Sequence, residues 1–106
     1  MESRRQRSIR EALEEYYVGS FWWKVHGGPF QRSGIPDLCG CVEGLYCAFE
    51  IKEPGKPPAS VIQRETVKLI RRAGGCTAYG ITTAGECIRL INERLAEIRS
   101  VSKGRR

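Results

Sequence analysis

The sequence that decides the fold lies at residues 34–52 and reads GIPDLCGCVEGLYCAFEIK. Two runs of strand-forming residues flank the dipeptide Glu43-Gly44, which predicts a β-hairpin with a two-residue turn. Counting outward from that turn brings Asp37 opposite Glu50. Directly opposed residues of antiparallel strands have Cβ atoms about 4.5–5.5 Å apart. The hairpin therefore predicts a pair of adjacent carboxylates at its open end.

This register depends on the turn, which must pair Val42 with Leu45. Type I′ hairpin turns favour Asn-Gly or Asp-Gly, and Glu43 is a poor first residue for them. A bulge at Gly44 would shift the register by one residue and weaken the predicted pairing of the acids.

The carboxylate pair indicates a site for a cation. Two carboxylates this close repel each other unless a cation lies between them, and a hard divalent ion is the natural occupant. Strand alternation puts Lys52 on the same face as Glu50. The other face of this strand carries Leu45, Cys47, Phe49 and Ile51. The alternative is that Asp37 is an ordinary turn residue, while Glu50 and Lys52 are solvated residues of an exposed strand face.

Composition and charge describe one small domain spanning residues 1–106. Apolar residues make up 41% of the chain and charged residues 28%, and the formal net charge is +6. Basic residues cluster near both ends: Arg4, Arg5, Arg7 and Arg10, then Arg99, Lys103, Arg105 and Arg106 in a basic tail at about residues 99–106. This balance suits a polyanionic partner such as DNA. A solvated basic surface is the alternative.

Several other classes of protein are disfavoured. No run approaches the ~20 apolar residues of a membrane span, and no apolar stretch follows the first arginines, so we expect a cytoplasmic protein. The five cysteines are Cys39, Cys41, Cys47, Cys76 and Cys87. They include no CxxC motif, and His26 is the only histidine, which favours reduced, mostly buried thiols over a zinc site. No P-loop or Ser-His-Asp arrangement is present.

Periodicity predicts the element order α-β-β-β-α-β-α. We expect a helix at about residues 4–18, strands at 21–26, 37–42, 45–52 and 76–81, and helices beginning after Ser60 and Thr83. Ser60 with Gln63, and Thr83 with Glu86, have the spacing of capping boxes. The predicted inward positions are Ile62, Thr66, Leu69, Ile70 and Ala73 in the second helix, and Ile88, Ile91, Leu95 and Ile98 in the third. This order predicts an α/β fold in which helices cover a small mixed sheet, with a parallel crossover between the third and fourth strands.

Two motifs carry a resemblance to a known family. Pro36-Asp37 followed by Glu50-Ile51-Lys52, within a helix-then-hairpin order, resembles the PD-(D/E)xK nuclease superfamily. The run KVHGGPFQRSGIPD at residues 24–37, together with Gln63 and Ala73-Gly74-Gly75, is similar to the stand-alone VRR-NUC domain found in phages and bacteria. The resemblance extends from Glu2 to the final helix and implies a restriction-endonuclease-like core.

The resemblance implies roles for individual residues. Asp37 and Glu50 would hold Mg²⁺ or Mn²⁺, with the backbone carbonyl of Ile51 as a further ligand. Lys52 would activate the attacking water and steady charge on the phosphate, and Gln63 matches the family's glutamine at the start of its second helix. For the first-helix acid that completes the metal shell, the choice is Glu2. Other acids of this helix are Glu11, Glu14 and Glu15.

The predicted function is a metal-dependent, structure-specific DNA endonuclease that resembles Holliday-junction resolvases and works as a homodimer. The alternatives are a nuclease for flaps or repair intermediates, and a catalytically idle DNA-binding module. The DNA-binding candidates are Lys24, His26, Arg32, Arg4 and Arg5. For Trp22 and Trp23, a place in the core is favoured over stacking on bases.

Overall fold

The computed structural model describes residues 2–26 and 32–104. Its elements are α1 (Arg4–Tyr16), β1 (Phe21–Lys24), β2 (Leu38–Val42), β3 (Leu45–Ile51), α2 (Val61–Arg72), β4 (Cys76–Ile81) and α3 (Ala84–Gly104). The strands form one sheet in the order β1-β2-β3-β4, antiparallel up to β3 and parallel between β3 and β4. This confirms the predicted α/β fold and element order. The predicted loop at residues 27–36 and the basic tail fall partly outside the described residues.

The hairpin turn keeps the predicted register. Val42 pairs with Leu45, so no bulge intervenes at Gly44. The turn achieves this by holding Glu43 at φ 51°, in the left-handed region that costs a residue with a side chain roughly 1–2 kcal/mol. The carboxylate of Glu43 accepts a hydrogen bond of 2.8 Å from Arg99, which ties the turn to α3.

The main core lies between one face of the sheet and the helices α1 and α3. The side chains of β3 that alternation assigned to the apolar face are buried there: Leu45, Cys47, Phe49 and Ile51. From the helices, Ile9 and Leu13 of α1 and Ile91 and Leu95 of α3 complete this core. A capping box that the sequence analysis missed, between Ser3 and Gln6, begins α1.

The helix α2 packs on the opposite face, mainly against β4. Its predicted capping box forms between Ser60 and Gln63. Of its side chains, Thr66 and Val67 are buried, but Ile62 and Leu69 are exposed, so the predicted inward stripe is partly wrong. The reason is that one twelve-residue helix covers only the part of this face next to β4.

The other half of that face, on β1 and β2, carries exposed aromatic side chains. Trp22 points into the core as expected, whereas Phe21 and Trp23 are exposed. In register, Phe21 pairs with Cys41, which pairs in turn with Tyr46 on β3. Cross-strand partners share a face. Phe21, Trp23 and Tyr46 thus form an exposed aromatic surface, which we call the aromatic face.

Smaller details of the helices and cysteines differ from the prediction. α3 continues to Gly104, and Ile98 on it is exposed rather than buried. Thr83 accepts a hydrogen bond from the Glu86 N–H at 3.3 Å, which is half of the predicted box. Four cysteines are buried, as expected, and Cys41 is exposed. In the described part of the chain, no helix combines the length and the apolar character needed to cross a membrane.

Candidate active site

Asp37 and Glu50 lie opposite each other at the open end of the hairpin. Leu38 pairs with Phe49, and Asp37 and Glu50 are the next pair outward. The Asp37 N–H donates a hydrogen bond of 3.2 Å to Glu50 Oε1, and the Ile51 N–H donates one of 3.0 Å to Asp37 Oδ2. Each carboxylate is therefore held by the backbone of the other strand. The apposition predicted from the register is confirmed.

This arrangement makes the pair hard to ionise fully. Burial raises the pKa of Glu50 to about 7, and the charge of Asp37 and a hydrogen bond with it add to this effect. Hydrogen bonds from the Asp37 N–H and from Gln63 lower the same pKa without cancelling the rise. A carboxylate pair of this kind gains from a cation that removes the repulsion between its two charges. Its oxygen atoms are the ligands that Mg²⁺ and Mn²⁺ prefer.

Gln63 belongs both to a helix cap and to this site. Its side-chain Oε1 accepts a hydrogen bond of 2.8 Å from the Ser60 N–H, as in the predicted capping box. Its hydrogen bond to the side chain of Glu50 lowers the pKa of that carboxyl group. The cap therefore fixes the glutamine beside the carboxylate pair.

Lys52 lies at the end of β3, but its ammonium group is turned toward the following loop. It donates a short hydrogen bond to the backbone carbonyl of Lys56. Among the ion pairs of residues 2–26 and 32–104, none joins Lys52 to Asp37 or Glu50. The backbone of Lys52 is held firmly, because its N–H donates to the Ile81 carbonyl at 2.7 Å.

Glu2, chosen as the first-helix metal ligand, is engaged elsewhere. Its carboxylate accepts hydrogen bonds of 2.7 and 3.0 Å from Arg10, and Arg7 lies 3.6 Å away. The hydrogen bond from Arg10 lowers the pKa of Glu2 despite its partial burial. Within the described ranges, no three acidic, cysteine or histidine side chains come together in a group that could hold a metal ion. A metal role for Glu2 stays a prediction.

The DNA-binding candidates are distributed on two sides of the site. Lys24 ends β1 opposite Leu38, one pair from Asp37, and His26 and Arg32 are exposed. Arg4 and Arg5 line a separate groove that includes Glu53. Arg5 also donates a hydrogen bond of 2.6 Å to the Lys52 carbonyl, so α1 clamps the end of the strand that carries Glu50.

A cleft of about 310 Å³ opens beside the carboxylate pair. Its lining includes Glu50, Lys52 and Gln63, together with Tyr79 of β4 and the loop residues 56–59. The cleft brings acidic, basic and amide groups of three elements to one surface. Such a site can hold a cation against two carboxylates and admit a phosphate and a water beside them.

No protein-family model matches the sequence, and no curated protein matches it significantly. Among solved structures, one described as a VRR_NUC domain matches with a TM-score of 0.62 and 24% identity, covering 86% of this chain and 94% of that one. The chain has the fold of a VRR_NUC domain. This confirms the fold that the motifs at Asp37 and Glu50 predicted.

A second solved structure is more distant. It is Hjc, a Holliday junction resolvase from the archaeal hyperthermophile Archaeoglobus fulgidus, with a TM-score of 0.46 and 23% identity. The match covers 69% of this chain and 64% of that one.

Sequence reasoning missed two features of the site. One is the clamp of Arg5 on the Lys52 carbonyl, because Arg5 carries no motif that would distinguish it from its neighbouring arginines. The other is Tyr79, which lines the cleft from β4. The signal for Tyr79 was available, since Gly80 inside a strand pattern often marks a bulge.

Proposed function

We propose that this chain is a Mg²⁺- or Mn²⁺-dependent endonuclease that hydrolyses phosphodiester bonds in DNA. The observation that carries the proposal is the apposition of Asp37 and Glu50, in which each carboxylate accepts a hydrogen bond from the backbone of the opposite strand. In this environment the pKa of Glu50 is raised to about 7. A buried like-charge pair is costly for the fold. Its position beside a cleft that is lined by Glu50, Lys52 and Gln63 supports a catalytic role.

The residues present fit a hard divalent cation. Asp37 and Glu50 would hold it through carboxylate oxygens, with the Ile51 carbonyl as a further ligand. Bound there, such an ion supplies Lewis-acid stabilisation of the phosphate and a water of lowered pKa. Glu2 would become an additional ligand when its carboxylate releases Arg10 and binds the metal.

The chain's own groups have distinct tasks in this mechanism. Lys52 donates hydrogen bonds to the attacking water or to a phosphoryl oxygen after its ammonium group leaves the Lys56 carbonyl. Gln63 holds the Glu50 carboxylate in orientation through its amide group. Arg5 keeps the backbone at Lys52 in place. A long lysine side chain reorients within nanoseconds on an exposed surface, so its position toward Lys56 is compatible with this task.

DNA is the proposed partner because the charge balance suits a polyanion. The chain has a formal net charge of +6. Lys56 of the loop and Arg64 of α2 line the cleft, and Arg4 and Arg5 of α1 line a second groove that shares Glu53 with it. Lys24, His26, Arg32, Arg4 and Arg5 are the proposed phosphate contacts. Affinity should therefore fall steeply with salt concentration, as counterion release dominates such binding.

Branched DNA and a homodimer complete the proposal. The sequence resemblance favours a four-way junction, and cutting two opposing strands of it symmetrically needs two active sites related by a two-fold axis. The aromatic face is the proposed contact between the copies. Its Phe21 and Trp23 rings lie 5.6 Å apart, on a strand at the edge of the sheet, and both are exposed. Trp23→Glu should make the protein sediment as a monomer at micromolar concentration.

The decisive experiment is a cleavage assay on a panel of DNAs of equal length: a four-way junction, a flap, a single strand and a linear duplex. Each is incubated with Mg²⁺, Mn²⁺ or EDTA. We expect cleavage only with metal, and a loss of about 100-fold or more in Asp37→Asn and Glu50→Gln, since each removes a ligand that stabilises the transition state. Lys52→Ala should lose turnover more than affinity.

A matched control is Glu65→Gln, which makes the same change of charge on an exposed acid of α2 that pairs with Lys68. It should cleave like the parent. Metal-independent cleavage, or parental activity in Asp37→Asn, would refute the proposal. Preference for flaps over junctions would favour a repair nuclease, and metal-dependent binding without cleavage would favour the idle DNA-binding module.

A further inference from the structure

The pairing of β4 with β3 is interrupted opposite Glu50. Phe49 pairs with Ala78, but the next pair is Ile51 with Ile81. Tyr79 and Gly80 together therefore face the single residue Glu50, which is the arrangement of a β-bulge. Gly80 has a φ of +73°, a conformation that glycine adopts without the penalty other residues incur.

Strand alternation places Tyr79 on the face of Thr77, opposite Ala78, and therefore beside Glu50, and the bulge then returns Ile81 to the core side. Ala78 and Ile81 are buried, whereas the side chain of Tyr79 is 43% exposed. Bulges are frequent next to active sites, where they redirect a side chain. Here the ring of Tyr79, next to the bulge, lines the same cleft of about 310 Å³ as Glu50 and Lys52.

Besides the carboxylate of Glu53, the rest of the cleft lining includes apolar and cationic groups. Pro57 and Pro58 provide apolar surface from the loop after β3, while Lys56 and Arg64 provide positive charge. A nucleotide has the complementary chemistry, with a flat base that stacks on aromatic rings and a phosphate that binds cations. Stacking on an aromatic ring needs a base whose face is free, which costs least where the base is unpaired.

We propose that Tyr79 stacks on an unpaired nucleobase next to the phosphate that the Asp37–Glu50 site cleaves. The inference rests on the proposed function for the location of the scissile phosphate. It names the substrate class more closely as DNA with an unstacked base at the cut, as in a junction or a single strand. Selection of this kind depends on DNA structure and not on base sequence, because every base presents a π-face.

The test is equilibrium binding measured by fluorescence anisotropy, in Ca²⁺ and at fixed salt concentration. The probes are labelled oligo(dT), a four-way junction and a linear duplex of equal length. Tyr79→Ala should bind oligo(dT) and the junction about 5- to 100-fold more weakly, as base–aromatic stacking predicts, and should bind the linear duplex like the parent. Tyr79→Phe should stay within about twofold of the parent on all three probes.

Two controls separate stacking from other effects. Tyr16→Ala removes another exposed tyrosine, on α1, and should leave all affinities unchanged. Tyr79→Leu keeps apolar volume without an aromatic face, and should weaken binding as Tyr79→Ala does. If Tyr79→Ala fails to fold, the contrast between the Leu and Phe variants decides the question.

Three outcomes would overturn the inference: parental affinity in Tyr79→Ala and Tyr79→Leu, an equal loss on the linear duplex, or a loss in Tyr79→Phe as large as in Tyr79→Ala. A parent that binds none of the probes would also overturn it. Because the measurement is of binding, it is independent of cleavage. A failed nuclease assay with an intact Tyr79 effect would reject only the proposed hydrolysis, and normal cleavage without a Tyr79 effect would reject only the stacking role.

Discussion

The two faces of the sheet differ in burial and in polarity. The face toward α1 and α3 is closed and apolar, with Phe49 and Cys47 fully buried. The face toward α2 is only half covered, and it carries Glu50 with its raised pKa, the bulged Tyr79 and the aromatic face. Alternating residues of one strand, β3, supply both. Stability is therefore concentrated on one side of this sheet, which leaves the other side free to hold groups that destabilise it.

The sharpest way to test this division is to change two adjacent residues of β3. Phe49→Ala should lower the free energy of unfolding by about 3–5 kcal/mol, because it leaves a cavity that the surrounding core fills only in part. Glu50→Gln, one residue further along, should not lower it in metal-free buffer at pH 8. Urea titration followed by far-UV circular dichroism measures both values. A cost below about 1 kcal/mol for Phe49→Ala would show that the core is not confined to this face.

Alternation explains why so much of this arrangement was predictable. Counting from a two-residue turn was enough to bring Asp37 opposite Glu50 and to sort the side chains of β3 by face. The less predictable features depend on contacts distant in sequence. The exposure of Ile62 depends on how much of the sheet α2 covers. The hydrogen bond from Lys52 to the carbonyl of Lys56 depends on the conformation of a long, flexible side chain. Local periodicity carries no information about either.

The second prediction concerns the position of the segment that leads to Asp37 relative to α2. Gly34 has a φ of +85°, and a Cβ atom there would lie 2.5 Å from Ile62 Cγ2 and 3.0 Å from the Ile62 carbonyl oxygen of α2. Gly34→Ala should therefore displace the segment leading to Asp37 from the helix that holds Gln63. A displacement near 1 Å lowers turnover by about 100-fold, so we expect a loss of cleavage of that order in steady-state kinetics.

A matched control exists for the backbone strain at this position. Gly19 has a φ of +89°, but a Cβ atom there would meet nothing within 4 Å. Gly19→Ala should thus incur the conformational cost, about 1 kcal/mol, while cleaving DNA at the parental rate. Equal loss of activity in both variants would mean that strain alone, and not contact with α2, accounts for the Gly34 effect.

The third prediction uses the pKa of Glu50 in the metal-free protein. Because folding raises this pKa from 4.5 to about 7, the folded state binds the proton more tightly than the unfolded state. The contribution of Glu50 to stability is therefore most favourable below pH 4.5 and declines as the pH rises to about 7. Allowing for partial exposure, Glu50→Gln should be about 1–2 kcal/mol more stable than the parent at pH 8 in EDTA.

The same comparison shows whether a cation relieves the destabilisation caused by ionised Glu50. The stability difference between Glu50→Gln and the parent should vanish near pH 4. At pH 8 it should shrink or reverse when Mn²⁺ is added to the parent, since a ligand that binds only the folded state stabilises that state. Urea midpoints at the two pH values, with and without Mn²⁺, provide the measurement. A difference independent of pH would indicate that Glu50 is not perturbed by its surroundings.

The smallest expected effect lies at the hairpin turn, far from the carboxylate pair and shared by both faces. Glu43 holds a φ of 51°, which asparagine tolerates better because its short polar side chain bonds the local backbone. Glu43→Asn removes the ion pair with Arg99, an exposed contact of little energetic weight. We expect a net gain of about 0.5–1 kcal/mol in unfolding free energy with unchanged cleavage. Arg99→Ala removes the ion pair alone and serves as the control. If Glu43→Asn lowered the unfolding free energy as much as Arg99→Ala does, the contact with α3, and not the turn conformation, would maintain the register that aligns Asp37 with Glu50.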